Sequence, residues 1–162
     1  MISIGIDFGS RTIKFCLYDM SDKNIIVCHK EDAKNQTETQ IDDIIDELLK
    51  KHSLSRDDIK AIICTGYGRK KYTKATQISS EILCHARGVN YFSNGINTII
   101  DIGGQDSKII KLHKNGKVID FLMNDKCAAG TGRFLEKISV FFESDIITPP
   151  LPPLIEGGDP SL

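Results

Sequence analysis

Apolar positions along this chain fall first into strand-length runs and then switch to a helical period. Ile2 to Phe8 and Thr12 to Asp19 predict a first hairpin, and Lys23 to Lys30 a third strand, because Ile25, Ile26 and Val27 follow the turn-forming pair Ser21-Asp22. From Gln36 to His52 the residues Ile41, Ile44, Ile45, Leu48 and Leu49 recur at helical spacing, with acidic residues early and Lys50-Lys51-His52 late, as the helix dipole favours. Ile59 to Thr65 predicts a buried strand stopped by Gly66-Tyr67-Gly68. A helix is expected from about Ser79 to Gly88, with Ser79 or Ser80 as cap, Glu81 in its first turn and Gly88 as its C-terminal stop. After Asn94-Gly95 the strand pattern starts afresh, and the order β-β-β-α-β-α, then β-β-β-α, predicts a duplicated mixed α/β lobe.

The second copy is short. Its strands end at Asp101, run from Ser107 to Leu112, and run from Lys117 to Met123 after the turn Lys114-Asn115-Gly116; a helix from about Thr131 to Phe142 follows. Thr148-Pro149-Pro150-Leu151-Pro152-Pro153 holds four of the five prolines, so the tail is expected to be extended and poorly packed. The expected organisation is a first lobe over 1–95, a partial second lobe over 96–147 and a tail over 148–162.

Two hairpins carry the candidate chemistry. Ile4-Gly5-Ile6-Asp7-Phe8-Gly9-Ser10-Arg11-Thr12-Ile13-Lys14 and Ile99-Ile100-Asp101-Ile102-Gly103-Gly104-Gln105-Asp106-Ser107-Lys108 both run an apolar strand into Asp, then a small-residue turn, then a return strand. A carboxylate at the end of a buried strand costs free energy unless it is paired or bound to a cation. Gly9 and Ser10, like Gly103 and Gly104, let the backbone approach an anion closely. Lys14 or Arg11 could reach a phosphate, and Gln105 or Asp106 could orient a water. Gly and Asp also build ordinary turns. Repetition of the whole pattern favours two halves of a polyphosphate and metal site.

Composition bounds the class more than the chemistry. At 162 residues, 40% hydrophobic and 27% charged, the chain reads as a soluble globular protein, and a formal net charge of −1 gives no electrostatic case for nucleic acid or an acidic membrane. No run approaches the length of a membrane span, and the N-terminus starts a strand in place of a signal peptide, so a cytoplasmic protein is expected. The five cysteines, Cys16, Cys28, Cys64, Cys84 and Cys127, are odd in number and scattered, as reduced thiols are. Cys16, Cys64 and Cys28 are expected in the core. Cys84-His85 lies in a helix whose adjacent residues diverge by about 100°, which argues against joint metal binding. Arg69-Lys70-Lys71 reads as a solvated face.

Four segments narrow the reading. Thr65-Gly66-Tyr67-Gly68-Arg69, Glu81-Ile82-Leu83-Cys84-His85-Ala86-Arg87-Gly88, Asp101 to Lys108, and Asn124-Asp125-Lys126-Cys127-Ala128-Ala129-Gly130-Thr131-Gly132-Arg133-Phe134-Leu135-Glu136 together resemble the activator (activase) ATPases of 2-hydroxyacyl-CoA dehydratases and the ATPase subunits of benzoyl-CoA reductase. That family lies within the superfamily of acetate and sugar kinases, heat-shock chaperones and actin. The resemblance covers about residues 1 to 138. It implies a duplicated ribonuclease H-like, actin-type fold with mixed sheets and an incomplete second lobe, clasping ATP or ADP with Mg between two phosphate hairpins. On that basis the nucleotide-binding set is Asp7, Gly9, Ser10, Arg11, Thr12, Lys14, Gly103, Gly104, Gly130 and Gly132. Asp7 and Asp101 would hold Mg directly or through water, and Asp101, Gln105 and Asp106 form the catalytic set.

The resemblance also gives Cys127 a role. It sits on the small-residue loop Cys127-Ala128-Ala129-Gly130 before a helix, where exposed N–H groups favour a thiolate. One cysteine cannot hold an iron–sulfur cluster, which needs four ligands. In the family a homodimer shares one [4Fe-4S] cluster, with two cysteines from each protomer, the first at the position of Cys127. Its ATP-driven electron transfer serves a dehydratase or related reductase component, with ferredoxin or flavodoxin as donor. The family's second cysteine and its adenosine motif are missing here, which reads as a truncated or frame-shifted form. A small-molecule kinase of the same superfamily and an inactive remnant are the alternative readings.

Overall fold

The computed structural model describes residues 1–33, 36–93, 95–104, 106–124 and 131. The elements run β1 (Ile2–Phe8), β2 (Thr12–Asp19), β3 (Asn24–Asp32), α1 (Glu38–Lys51), β4 (Ile59–Thr65), β5 (Gln77–Ile78), α2 (Glu81–Phe92), β6 (Thr98–Ile102), β7 (Ser107–Leu112) and β8 (Val118–Asn124). The chain divides into two compact units, Met1–Cys84 and His85–Leu162, and the division falls inside α2.

The first unit is built on a five-stranded sheet of order β3-β2-β1-β4-β5. β1 and β2 pair antiparallel, as do β2 and β3, whereas β1 pairs parallel to β4 and β4 to β5. Alternation places Ile2, Ile4, Ile6 and Phe8 of β1 and Ile13, Phe15 and Leu17 of β2 on one buried face. Ile41, Ile45, Leu48 and Leu49 of α1, together with Ile62, Cys64 and Tyr72, complete that core. Thr37 caps α1 through a reciprocal box, its backbone N–H donating to Gln40 Oε1 at 2.8 Å and its Oγ1 accepting from the Gln40 N–H at 3.3 Å.

A polar cluster ties α1 to the segment after β4. Tyr72 Oη donates to Asp42 Oδ1 at 2.7 Å, Arg56 Nη1 lies 3.3 Å from the same oxygen, and Lys74 Nζ pairs with Asp42 Oδ2. Burial pushes the Asp42 carboxyl up, but hydrogen bonds from Lys74 and Tyr72 and the charges of Lys74 and Arg56 outweigh it and hold it below the usual carboxylate range. The phenol of Tyr72 is pushed up to about 12, by burial first and then by Asp42. Asp42→Ala is therefore expected to cost about 2 kcal/mol at neutral pH, since it leaves Tyr72 and two cations without their shared acceptor. A lowered folded pKa contributes stability above the unfolded value near 4, and that contribution is lost as pH falls through the folded value. Urea midpoints of the two chains should thus converge below about pH 4.

The second unit carries the three-stranded antiparallel sheet β6-β7-β8. Ile99, Ile110 and Leu112 are buried on one face of it, and Ala86 of α2 is buried as well. Ile100, Ile102, Ile109 and Leu122 share the other face by register and are exposed. The expected stop at Gly88 is corrected, because α2 continues to Phe92. Gly88 has open space around it and no left-handed backbone, so the helix passes through at a cost of about 1 kcal/mol relative to alanine. Ser80 is the N-terminal cap, accepting from the Leu83 N–H at 3.3 Å. The expected helix from Thr131 to Phe142 and the proline-rich tail lie outside the described residues.

Candidate phosphate hairpins

In the first hairpin the β1–β2 ladder ends in the pairs Asp7 with Lys14 and Phe8 with Ile13, leaving Gly9-Ser10-Arg11 as the turn. Lys14 Nζ lies 2.8 Å from Asp7 Oδ2, and the Lys14 side chain is half exposed, so the ammonium remains within reach of an incoming anion. A Cβ at Gly9 would come within 2.7 Å of the Thr12 carbonyl oxygen, so this turn closes only around glycine. The Arg11 carbonyl accepts from the Ala33 N–H at 2.8 Å, which anchors the turn to the end of β3.

The turn after β4 packs onto this hairpin. Gly66 is buried at φ +89°, and a Cβ there would lie 2.5 Å from Asp7 Oδ1 and 2.6 Å from the Phe8 carbonyl oxygen. Gly68 N–H donates to the same Phe8 carbonyl at 3.0 Å, and Arg69 Nη1 donates to the Gly66 carbonyl at 3.1 Å. Thr65 is the parallel ladder partner of Asp7, and its Oγ1 is buried with no hydrogen-bond partner among the described residues. A buried orphan hydroxyl beside a carboxylate fits a hydrated Mg ion, which keeps most of its waters and binds through one or two carboxylates plus phosphate oxygens.

The second hairpin repeats the first in register but not in burial. Asp101 pairs across the β6–β7 ladder with Lys108, seven residues on, the same separation as Asp7 and Lys14. Lys108 is only 3% exposed, and its Nζ lies 3.2 Å from Asp101 Oδ2 and 2.8 Å from Asp106 Oδ2. His85 of α2 places Nδ1 3.0 Å from Asp101 Oδ2. Gly103 N–H donates to the Asp106 carbonyl at 2.8 Å, and any Cβ at Gly103 would collide with Asp106 Oδ1. Asp101 and Asp106 therefore converge on one buried cation, and Gly104 is exposed at the turn.

Asp7, Gly9 and Lys14 come together in the first hairpin and Asp101, Gly103 and Asp106 in the second, whereas Gln105, Cys127, Gly130 and Gly132 lie outside the described residues. Lys108, Gly66, Thr65 and His85 were not singled out as site residues. The repeated seven-residue step from Asp to Lys could have found Lys108; nothing local marks which atoms Gly66 touches. Among the described residues no group of three or more His, Cys, Asp or Glu could hold a metal ion, and Cys127, to which the resemblance gives a cluster role, lies outside them. Cys64 is buried and its thiol pushed up to about 11 by burial, as expected for a core residue. Cys28 departs from the core expectation: it lies on the edge strand and is exposed, and Cys16 is half-buried, because both face away from the packed side of the sheet.

Comparison with known proteins agrees with this geometry. The family described as the BadF/BadG/BcrA/BcrD ATPase family matches residues 4–144. The 2-hydroxyisocaproyl-CoA dehydratase activator of Clostridioides difficile is 43% identical over 146 residues, which cover 90% of this chain and 54% of that protein. The solved structure of the activator of the 2-hydroxyisocaproyl-CoA dehydratase with bound ADPNP aligns with TM-score 0.78 at 43% identity, covering 90% of this chain and 53% of the other. The structure of the (R)-2-hydroxyglutaryl-CoA dehydratase component A from Acidaminococcus fermentans aligns with TM-score 0.80 at 36% identity, covering 90% and 55%. The chain spans about half the length of the curated relatives it matches. The fold is the duplicated, mixed α/β actin-type arrangement of ribonuclease H-like lobes, and among the described residues the second lobe repeats only the opening strands of the first.

Proposed function

Because the chain belongs to the BadF/BadG/BcrA/BcrD ATPase family, we propose that it carries the phosphate-binding portion of an ATP-dependent activator of 2-hydroxyacyl-CoA dehydratases or related reductases. The observation that carries this reading is the repeated pair: Asp7 with Lys14 and Asp101 with Lys108 occupy the same ladder position beside two glycine turns. The exposed Lys14 ammonium binds phosphate oxygens as a point charge, with the Gly9-Ser10 and Gly103-Gly104 backbones alongside. Mg, when bound, would neutralise phosphate charge, held by Asp7 with Thr65 beside it. Lys108 holds Asp101 and Asp106 in place, and Asp106 or Gln105 orients the attacking water. Cys127 would supply one thiolate to a [4Fe-4S] cluster shared across a homodimer, and that cluster would provide the one-electron chemistry between a ferredoxin or flavodoxin donor and the dehydratase component.

The nucleotide reading is tested by melting the 162-residue chain with and without Mg-ATP. A ligand bound only by the folded state at a hundredfold excess over its Kd adds about 2.7 kcal/mol, which raises the midpoint by roughly 5 °C or more. Lys14→Ala should abolish most of that rise while leaving the ligand-free midpoint in place, since the Lys14 pair is half exposed. An unchanged midpoint with both Mg-ATP and Mg-ADP would overturn the reading.

A further inference from the structure

Cys16 and Cys28 face one another across the β2–β3 ladder, outside the hairpin turn. Directly opposed residues in an antiparallel ladder have Cα atoms about 4.5–5.5 Å apart, inside the span of about 4.4–6.8 Å that disulfides occupy. Both cysteines alternate with the buried run Ile13, Phe15 and Leu17, so their side chains share the other face of the sheet. Burial, followed by the neighbouring Cys28 thiol, pushes Cys16 up to about 12. β3 is an edge strand and Cys28 is exposed, whereas Cys16 is half-buried. One thiol is open to a solvent-borne reagent and the other is held in contact behind it.

We propose that Cys16 and Cys28 form a redox-modified dithiol site whose substrates are hydroperoxides. The Cys28 thiolate attacks one peroxide oxygen; the O–O bond breaks, the hydroperoxide is reduced to its alcohol or to water, and Cys28 becomes a sulfenic acid. Cys16 then gives up its proton to the Cys28 hydroxyl oxygen as its sulfur attacks Cys28 Sγ; the S–S bond forms, the S–O bond breaks, and the leaving hydroxide departs with that proton as water. Two thiols and one hydroperoxide thus give one disulfide, one alcohol and one water. The disulfide fastens the edge strand to β2, two residues from Lys14 on the same face, and spares Cys28 from irreversible oxidation.

The test uses the full chain, hydrogen peroxide, alkylation of remaining thiols and tryptic mass mapping. Cleavage after Lys14, Lys23 and Lys30 separates the two cysteines into peptides 15–23 and 24–30, so their disulfide appears as a linked pair that dithiothreitol splits. That pair is expected at roughly tenfold or more over any link to Cys64, Cys84 or Cys127, with a melting midpoint raised by roughly 5 °C and restored on reduction. In Cys16→Ser, Cys28 should instead advance to sulfinic and sulfonic acid, and in Cys28→Ser the Cys16 thiol should survive. Linked peptides no more abundant than other pairings, or Cys28 sulfinate forming as fast in the unsubstituted chain as in Cys16→Ser, would overturn the proposal. The first readout needs no substitution, so a poorly folding variant does not blunt it.

Discussion

Gly66→Ala is expected to cost about 4 kcal/mol and to remove the response to Mg-ATP. A Cβ at φ +89° is strained by about 1–2 kcal/mol before any contact is counted. It would also press on the Phe8 carbonyl oxygen at 2.6 Å and on Asp7 Oδ1 at 2.5 Å. The carboxylate could swing aside, but Phe8 belongs to the β1 ladder and its carbonyl is held by the Gly68 N–H at 3.0 Å. Relief therefore means parting β1 from the turn that follows β4, which costs as overpacking in a core does. Either escape moves Asp7, so the binding loss accompanies the stability loss. Gly66→Asn separates the two causes: asparagine tolerates positive φ but carries the same Cβ, and it should be nearly as damaging. A urea midpoint for Gly66→Ala within about 1 kcal/mol of the parent would show that the close approach is not what the position requires.

Lys108→Ala is expected to cost about 3 kcal/mol, whereas Lys14→Ala should cost no more than about 0.5 kcal/mol. The two lysines hold the same ladder position, and burial separates them: Lys108 is 3% exposed between two carboxylates and the Lys14 side chain 51% exposed beside one. Removing a buried cation leaves Asp101 and Asp106 facing each other; because those side chains are 19% and 24% exposed, water screens part of the penalty, and the estimate stays at the low end for a broken buried pair. Lys108→Met keeps most of the stem and should recover about 1 kcal/mol, the packing share. Adding Asp106→Asn to Lys108→Met should recover more, because the uncompensated charge is then reduced. Equal losses for the two lysines in urea unfolding would refute the claim that the second hairpin is braced from inside and the first open to ligand.

This asymmetry bears on function. Two hairpins with one sequence pattern look interchangeable, yet only the first presents its ammonium to solvent. The second spends its lysine on holding Asp101 and Asp106, with His85 on the same oxygen of Asp101. On the proposed reading, phosphate charge would be met chiefly at Lys14, and the second hairpin would offer ordered carboxylates and backbone N–H groups.

Much of the fold was legible because its signals are local. Alternation and turn residues marked β1, β2, β4 and β7, since a strand with one buried face must alternate whatever it packs against. The helical period, with acidic residues early and basic ones late, marked α1 to within two residues. Gly88 misled because a glycine stops a helix only where the chain must turn left-handed, and here it does not. β5 was missed, being two residues long and held by backbone bonds to β4 with no apolar pattern of its own. Cys28 was assigned to the core on residue type, but an edge strand leaves its outer face to solvent.

By itself, then, the sequence determined the two Asp-led hairpins, their duplication and the family to which they belong, because each is written in contiguous residues within reach of one turn. Tertiary structure decided what those residues touch. Parallel pairing of β1 with β4 brings Gly66 and Thr65 against Asp7 across more than fifty residues of chain, while in the second unit Lys108 is buried between Asp101 and Asp106 and His85 of α2 reaches Asp101. The physical reason is that turn formation and backbone preference act between neighbours in sequence, whereas burial, and with it the fate of every charge, is set by elements the chain brings together from afar.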